Sequence, residues 1–163
     1  MKRGNIMRIT KYSTELDKER KNILVKEDSK NCPHIDSLDA PIKIMDMLNY
    51  IYNANVKAEE YIWLIALDTK CKPIGIFEIS HGTVNSSMLS AREVFIRLCL
   101  CGATYCVLAH NHPSGDTTPS KEDFEVTTRI KEAGEVMNIK LLDHVIVGEH
   151  YYSFRENKNM ICG

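Results

Sequence analysis

From residue 41 onward, the apolar positions of this 163-residue chain alternate between a helical and a strand-like spacing, and the alternation predicts its elements. The run "PIKIMDMLNYIYNAN" places Ile44, Met47, Leu48 and Ile51 at helical spacing, with Pro41 suited to the first turn, where no amide hydrogen is needed. "EYIWLIALD" is short and rich in aromatic and branched residues, the composition of a buried strand. The polar turn "DTKCKP" leads into "IGIFEISHG", so the two strands are expected to pair as an antiparallel hairpin. "SAREVFIRLCLCG" predicts a helix opened by a capping box, Ser90 three residues before Glu93, and closed at Gly102. "ATYCVLAH" is apolar nearly throughout, as in a central strand covered on both faces. "PSKEDFEVTTRIKEAGEVMN" predicts a helix with Ser120 at the N-cap and Asp123 at its third position. "IKLLDHVIVG" and "YYSFRE" then read as a buried and a short closing strand. This order gives an α/β fold with a single mixed β-sheet flanked by helices. Residues 1–38 are polar and weakly patterned; they are expected to form an arm of uncertain order ahead of a domain spanning 39–163. No internal repeat or low-complexity segment interrupts the pattern.

Composition changes this picture at one end only. A hydrophobic content of 44% supports a real core, and 26% charged residues is ordinary for a soluble domain. The net charge of −1 is unevenly spread: residues 1–30 carry nine Lys/Arg against five Asp/Glu, the remainder twelve against seventeen. A basic arm of this kind is expected to be a solvated leader, with weak, non-specific contact to an acidic partner such as nucleic acid as the alternative. The start "MKRGNIMRITKYSTELDKERKN" has no apolar signal-type core, and nowhere do 18 apolar residues run together. A cytoplasmic protein with reduced thiols and no membrane partner is expected. Its six cysteines (32, 71, 99, 101, 106 and 162) form no Cys-x-x-Cys pair, which excludes a zinc ribbon or thioredoxin-type site.

The chemistry concentrates in "LAHNHPSGDTTPSKED", residues 108–123. His110 and His112 are two apart at a strand end, so both imidazoles project to one side. Pro113, Gly115 and Pro119 are turn residues that can fold the chain back, returning Asp123 to the same spot. Two histidines and a carboxylate leave a fourth tetrahedral position open, the arrangement of catalytic zinc; structural zinc is usually closed by four ligands. Hydrolysis at such a centre needs a proton acceptor and a donor for the developing oxyanion. Ser120 can supply the hydroxyl. Glu78 interrupts the apolar strand "IGIFEISHG", and a carboxylate there needs a partner or a purpose, which makes it the candidate base. Taken singly these residues are unremarkable: Ser120 is an ordinary N-cap, and the helix dipole alone favours Asp123. Their joint spacing is what marks a metal site.

That spacing resembles the JAMM metalloprotease motif, His-x-His, ten residues, then Asp, with Ser three before the Asp. More specifically the chain resembles RadC-type JAB domains, over roughly residues 40 to 157, through "EISHGTVNSS", "REVF", "LAHNHPSGD", "LLDHVIVG" and "YYSFRE". The resemblance implies a cytidine-deaminase-like JAB/MPN fold, His110, His112 and Asp123 as ligands of one zinc ion, Glu78 as the water-activating carboxylate and Ser120 as oxyanion helper. It implies a peptide or isopeptide substrate. The alternative is a catalytically silent or DNA-associated module that keeps the metal for stability. Zinc nucleoside deaminases are excluded, since they use His-x-Glu and a later Pro-Cys-x-x-Cys. The chain departs from the family at Ala91-Arg92-Glu93, where Pro-Arg-Glu is common, and it is too short for the helix-hairpin-helix region of full-length relatives. Asp143 and His144 are expected to orient neighbours and not to ligate. Trp63 is expected in the core, and His34, His81 and His150 belong to no constellation.

Overall fold

The computed structural model describes residues 6–82 and 89–160. Lys2 and Arg3 of the basic arm, Thr83–Ser87 of the quoted "EISHGTVNSS" and Cys162 lie outside the described residues. Seven strands form one mixed sheet in the order β2-β1-β4-β3-β5-β6-β7. They are β1 (Ile6–Leu16), β2 (Asn22–Pro33), β3 (Glu60–Leu67), β4 (Pro73–Gly82), β5 (Tyr105–Asn111), β6 (Lys140–Val147) and β7 (Tyr151–Ser153). The helices are α1 (Pro41–Tyr52), α2 (Ala91–Leu100) and α3 (Lys121–Met137).

Strand alternation divides the core in two, and the division positions the site. On one face, Ile44, Met47, Leu48 and Ile51 of α1 pack on Trp63, Ile65, Val107, Ala109 and Val145. On the other, Val94, Phe95 and Leu98 of α2 and Val126 and Ile130 of α3 pack on Leu64, Ala66, Cys106 and Leu108. Even-numbered residues of β3 and β5 therefore face α2 and α3, and odd-numbered ones face α1. His110 follows Leu108 on the α3 side. Trp63, 1% exposed, belongs to the α1-side core as expected. The hairpin of β3 and β4 forms as predicted, and β5 lies antiparallel to β3 and parallel to β6.

Two expectations are corrected. The segment expected as an arm of uncertain order instead forms β1 and β2, an antiparallel hairpin at the sheet edge. Its pattern is weak because both strands carry polar residues on a solvated face; Met7 and Ile9 of β1 still alternate inward, between exposed Ile6 and Arg8. The capping box at Ser90 does not form: Ser90 occupies the N-cap without a side-chain bond, while the Glu93 carboxylate pairs with Arg97 at 3.2 Å and Arg92 at 3.1 Å. Among the described residues no helix is long and apolar enough to cross a membrane.

Candidate metal centre

β5 delivers His110 to the carboxyl end of the parallel β5–β6 pair, where open α/β sheets commonly place ligands. The chain stays extended for one residue more, because the His112 N–H donates to Val147 O at 2.9 Å. It then turns sharply: Gly115 N–H donates to His112 O at 2.9 Å, and Gly115 adopts φ +81°, a region glycine enters without strain. The β6–β7 turn presses on this loop so closely that a Cβ at Gly148 would stand 2.3 Å from Gly115 O. Asp116 holds the far side, its Oδ1 accepting from Thr118 N–H at 2.9 Å and Thr118 Oγ1 at 2.7 Å. The Asp116 carbonyl thereby comes to rest 2.6 Å from His112 Nδ1. A carbonyl can only accept, so His112 carries a proton on Nδ1, and Nε2 is the nitrogen turned to His110 and Asp123.

α3 begins with the predicted capping box. Asp123 N–H donates to Ser120 Oγ at 3.2 Å, and Ser120 N–H to Asp123 Oδ2 at 2.8 Å. The box turns the carboxylate toward the histidines. His110 Nε2 lies 3.1 Å from His112 Nε2 and 3.3 Å from Asp123 Oδ1; His112 Nε2 lies 3.8 Å from Asp123 Oδ2. Three ligands bound at 2.0–2.1 Å around one tetrahedral centre stand about 3.3 Å apart. The residues present fit a metal ion, and His110, His112 and Asp123 could hold one. His110 and Asp123 are buried, whereas His112 keeps an opening to solvent. Burial works to raise the Asp123 pKa, but bonding and attraction to His110 and the bonds from Ser120 bring it well below the usual carboxylate range.

The remaining expected residues divide. Ser120 is exposed beside the three, with its Oγ lone pair engaged by the cap and its proton free to donate. Glu78 does not join them. It pairs across the sheet with Trp63, and paired residues share a face, so it lies on the α1 side, away from His110. It has a partner there: Glu78 Oε2 accepts from Lys11 Nζ at 3.2 Å, and Oε1 lies 3.0 Å from His81 Nδ1. The carboxylate that does reach the centre's surroundings is Glu60, absent from the expected set. Two residues before Ile62, which pairs with His110, Glu60 shares its face and stands across from His112 in the continued register. Asn111 fixes both neighbours of Glu60, accepting from Tyr61 N–H at 2.7 Å and donating to Glu59 O at 3.0 Å. Burial raises the Glu60 pKa, with His110 and His112 opposing and Asp123 adding to the rise. Finding it from sequence would have required the β3–β5 register.

Asp143 and His144 lie behind the centre. Asp143 Oδ1 accepts from His144 N–H at 2.8 Å and Arg155 N–H at 3.0 Å, and Oδ2 from Ser153 Oγ at 2.6 Å. The His144 ring stacks on Phe154 with centroids 5.0 Å apart, its Nε2 2.8 Å from His110 Nδ1. Burial, reinforced by His110, holds the His144 pKa well below its usual value.

A single mixed sheet between α1 and the α2–α3 pair, with a His-x-His strand end and an Asp at the start of the following helix, defines an α/β protein of the JAB/MPN fold carrying a candidate metal site. The sequence profile of the RadC-like JAB domain matches residues 38–160, and the chain belongs to that family. It is 40% identical over 124 residues to a UPF0758 protein of Pelobacter propionicus, covering 76% of this chain and 53% of that one. A UPF0758 protein of Rubrobacter xylanophilus is 48% identical over 104 residues, covering 64% and 45%, and one of Thermotoga maritima 40% identical over 122 residues, covering 74% and 54%. The chain spans about half the length of the curated relatives it matches.

Proposed function

We propose that the chain is a zinc-dependent hydrolase that cleaves an amide, a peptide or isopeptide bond, with His110, His112 and Asp123 as the ligands of one zinc ion. The observation that carries the reading is the convergence of these donor atoms at 3.1, 3.3 and 3.8 Å, at the rim of the sheet and next to a hydroxyl with a free proton. Imidazole and carboxylate together suit zinc, and three protein ligands leave a position for water or substrate. Zinc bound there supplies a Lewis acid and brings the ionisation of water toward neutral pH.

The chain's own residues supply the proton traffic. Glu60, in place of Glu78, is the carboxylate on the correct face to take a proton from the attacking water and return it to the leaving nitrogen. The Ser120 hydroxyl, at the mouth of the centre, donates to the oxyanion that develops on the scissile carbonyl. Asn111 keeps the start of β3 in register, so the position of Glu60 does not depend on its own contacts.

The test is a screen of peptide and isopeptide substrates with wild type, Glu60→Gln and Glu78→Gln side by side, each with its zinc content measured. Glu60→Gln is expected to retain zinc and lose about 10² to 10⁴ in rate, the usual contribution of a general base. Glu78→Gln is expected to stay near wild type. A Glu60→Gln enzyme at wild-type rate would refute the assignment of the base, and a zinc-loaded chain that cleaves nothing in the screen would refute the hydrolase reading.

A further inference from the structure

The protons on the two candidate histidine ligands are set from opposite sides of the centre. His112 is held by a backbone carbonyl of the loop, as above. His110 is held by a chain of side chains that starts on α3. Thr127 Oγ1 lies 2.6 Å from the main-chain oxygen of Asp123 and 2.6 Å from His144 Nδ1. A threonine hydroxyl has one proton, and a carbonyl oxygen has none to give. If the proton went to His144, two oxygens would face each other at 2.6 Å with nothing between them. The hydroxyl therefore donates to the Asp123 carbonyl and accepts from His144 Nδ1–H. His144 is 2% exposed, and burial disfavours a charged ring, so its Nε2 is bare. That Nε2 lies 2.8 Å from His110 Nδ1, which must donate to it. His110 Nδ1 is thereby fixed as a donor, and Nε2 is the nitrogen turned to the centre.

We propose that Thr127 and His144 are positioning residues that select the metal-binding tautomer of His110. The chain of contacts closes on itself through Asp123: its carbonyl begins the relay, and its carboxylate ends 3.3 Å from the other ring nitrogen of His110. One turn of α3 therefore supplies a ligand and prepares another. Orienting partners of this kind typically account for about 10- to 100-fold in metal affinity. The proposal rests on reading the three residues as metal ligands, but the Nδ1 proton of His110 is placed by protein groups alone, so the two can be tested apart.

The experiment is ¹⁵N NMR of the histidine rings in the full, metal-free chain, followed by zinc affinity from chelator competition. Wild type is expected to show His110 and His144 protonated on Nδ1. Thr127→Val, which keeps the shape and removes the hydroxyl, is expected to move His110 toward the Nε2-protonated form and to weaken zinc binding about 10- to 100-fold. Thr127→Ser restores the hydroxyl and is expected to restore both readings. His110 with a bare Nδ1 and its proton on Nε2 alone in wild type overturns the proposal, and that reading needs no variant to fold. A folded Thr127→Val with wild-type tautomer and wild-type zinc affinity overturns it too. A chain that shows the assigned tautomers and takes up no zinc supports the relay and removes the metal reading.

Discussion

Replacing Asp143 by alanine is expected to destabilise the protein severely, although the residue is not one of the three that could hold a metal. Its carboxylate accepts three hydrogen bonds, from His144 N–H at 2.8 Å, Ser153 Oγ at 2.6 Å and Arg155 N–H at 3.0 Å. Asp143, His144 and Ser153 are all buried, so water cannot replace the lost acceptor for the first two donors. A buried donor left unsatisfied costs about 1–3 kcal/mol, which makes the expected loss about 2–6 kcal/mol before any relaxation. Against a typical total of about 5–15 kcal/mol this is a large share. Urea unfolding of the metal-free chain, followed by circular dichroism, measures it as a lower midpoint at unchanged slope. Asp143→Asn is the control: its carbonyl oxygen can serve the two backbone N–H groups, and the Ser153 hydroxyl can turn to accept from the amide, so it should lose about 1 kcal/mol. An Asp143→Ala protein within about 1 kcal/mol of wild type would show that these bonds are not what holds the β6–β7 junction.

Three further outcomes are expected. Purified wild type should hold about one zinc per chain, and His110→Ala/His112→Ala should hold none and lose the thermal stabilisation that zinc gives the native state; stoichiometric zinc in the double variant would remove the ligand assignment. Ser120→Ala should lower stability by about 1 kcal/mol through loss of the α3 cap, read as a shifted denaturant midpoint, and an unchanged midpoint would mean the cap observed at Asp123 N–H contributes nothing. Duplex DNA should bind only weakly, at roughly 10⁻⁴ to 10⁻⁶ M without sequence preference, because Lys11 of the basic N-terminal stretch is already paired with Glu27 and Glu78; nanomolar, sequence-selective binding in a filter or anisotropy assay would overturn this.

Local periodicity made most of the fold legible. Helical spacing marked α1, continuous apolar character marked the two-faced strands β3, β5 and β6, and Ser120 with Asp123 marked the start of α3. The grouping that could hold a metal was legible for the same reason: His110, His112 and Asp123 lie within fourteen residues, so turn chemistry alone could bring them together. What needed long-range pairing was not. Glu60 and Glu78 both sit in strands next to apolar residues, and only the register of β3 against β5 and β4 tells which carboxylate shares the face of His110. The β1–β2 hairpin escaped because each of its strands exposes polar residues, so its alternation is diluted by Arg8, Glu27 and Asp28. His144 was legible as an orienting residue, but Thr127 carried no signal of its own, since a threonine in a helix meets a histidine in a strand only when α3 packs on β6.

The way the hairpin joins the sheet has a kinetic consequence. β1 matches β2 over eleven register pairs but, among the described residues, meets β4 through the single parallel pair Lys11–Ile76. Cooperative opening units follow hydrogen-bonded motifs, and the weakest seam sets where they part. In native-state hydrogen exchange the amides of β1 and β2 should therefore share one opening free energy, below that of β3, β5 and β6. The hairpin is expected to come away as a unit, exposing the β4 edge while the strand that carries His110 stays closed.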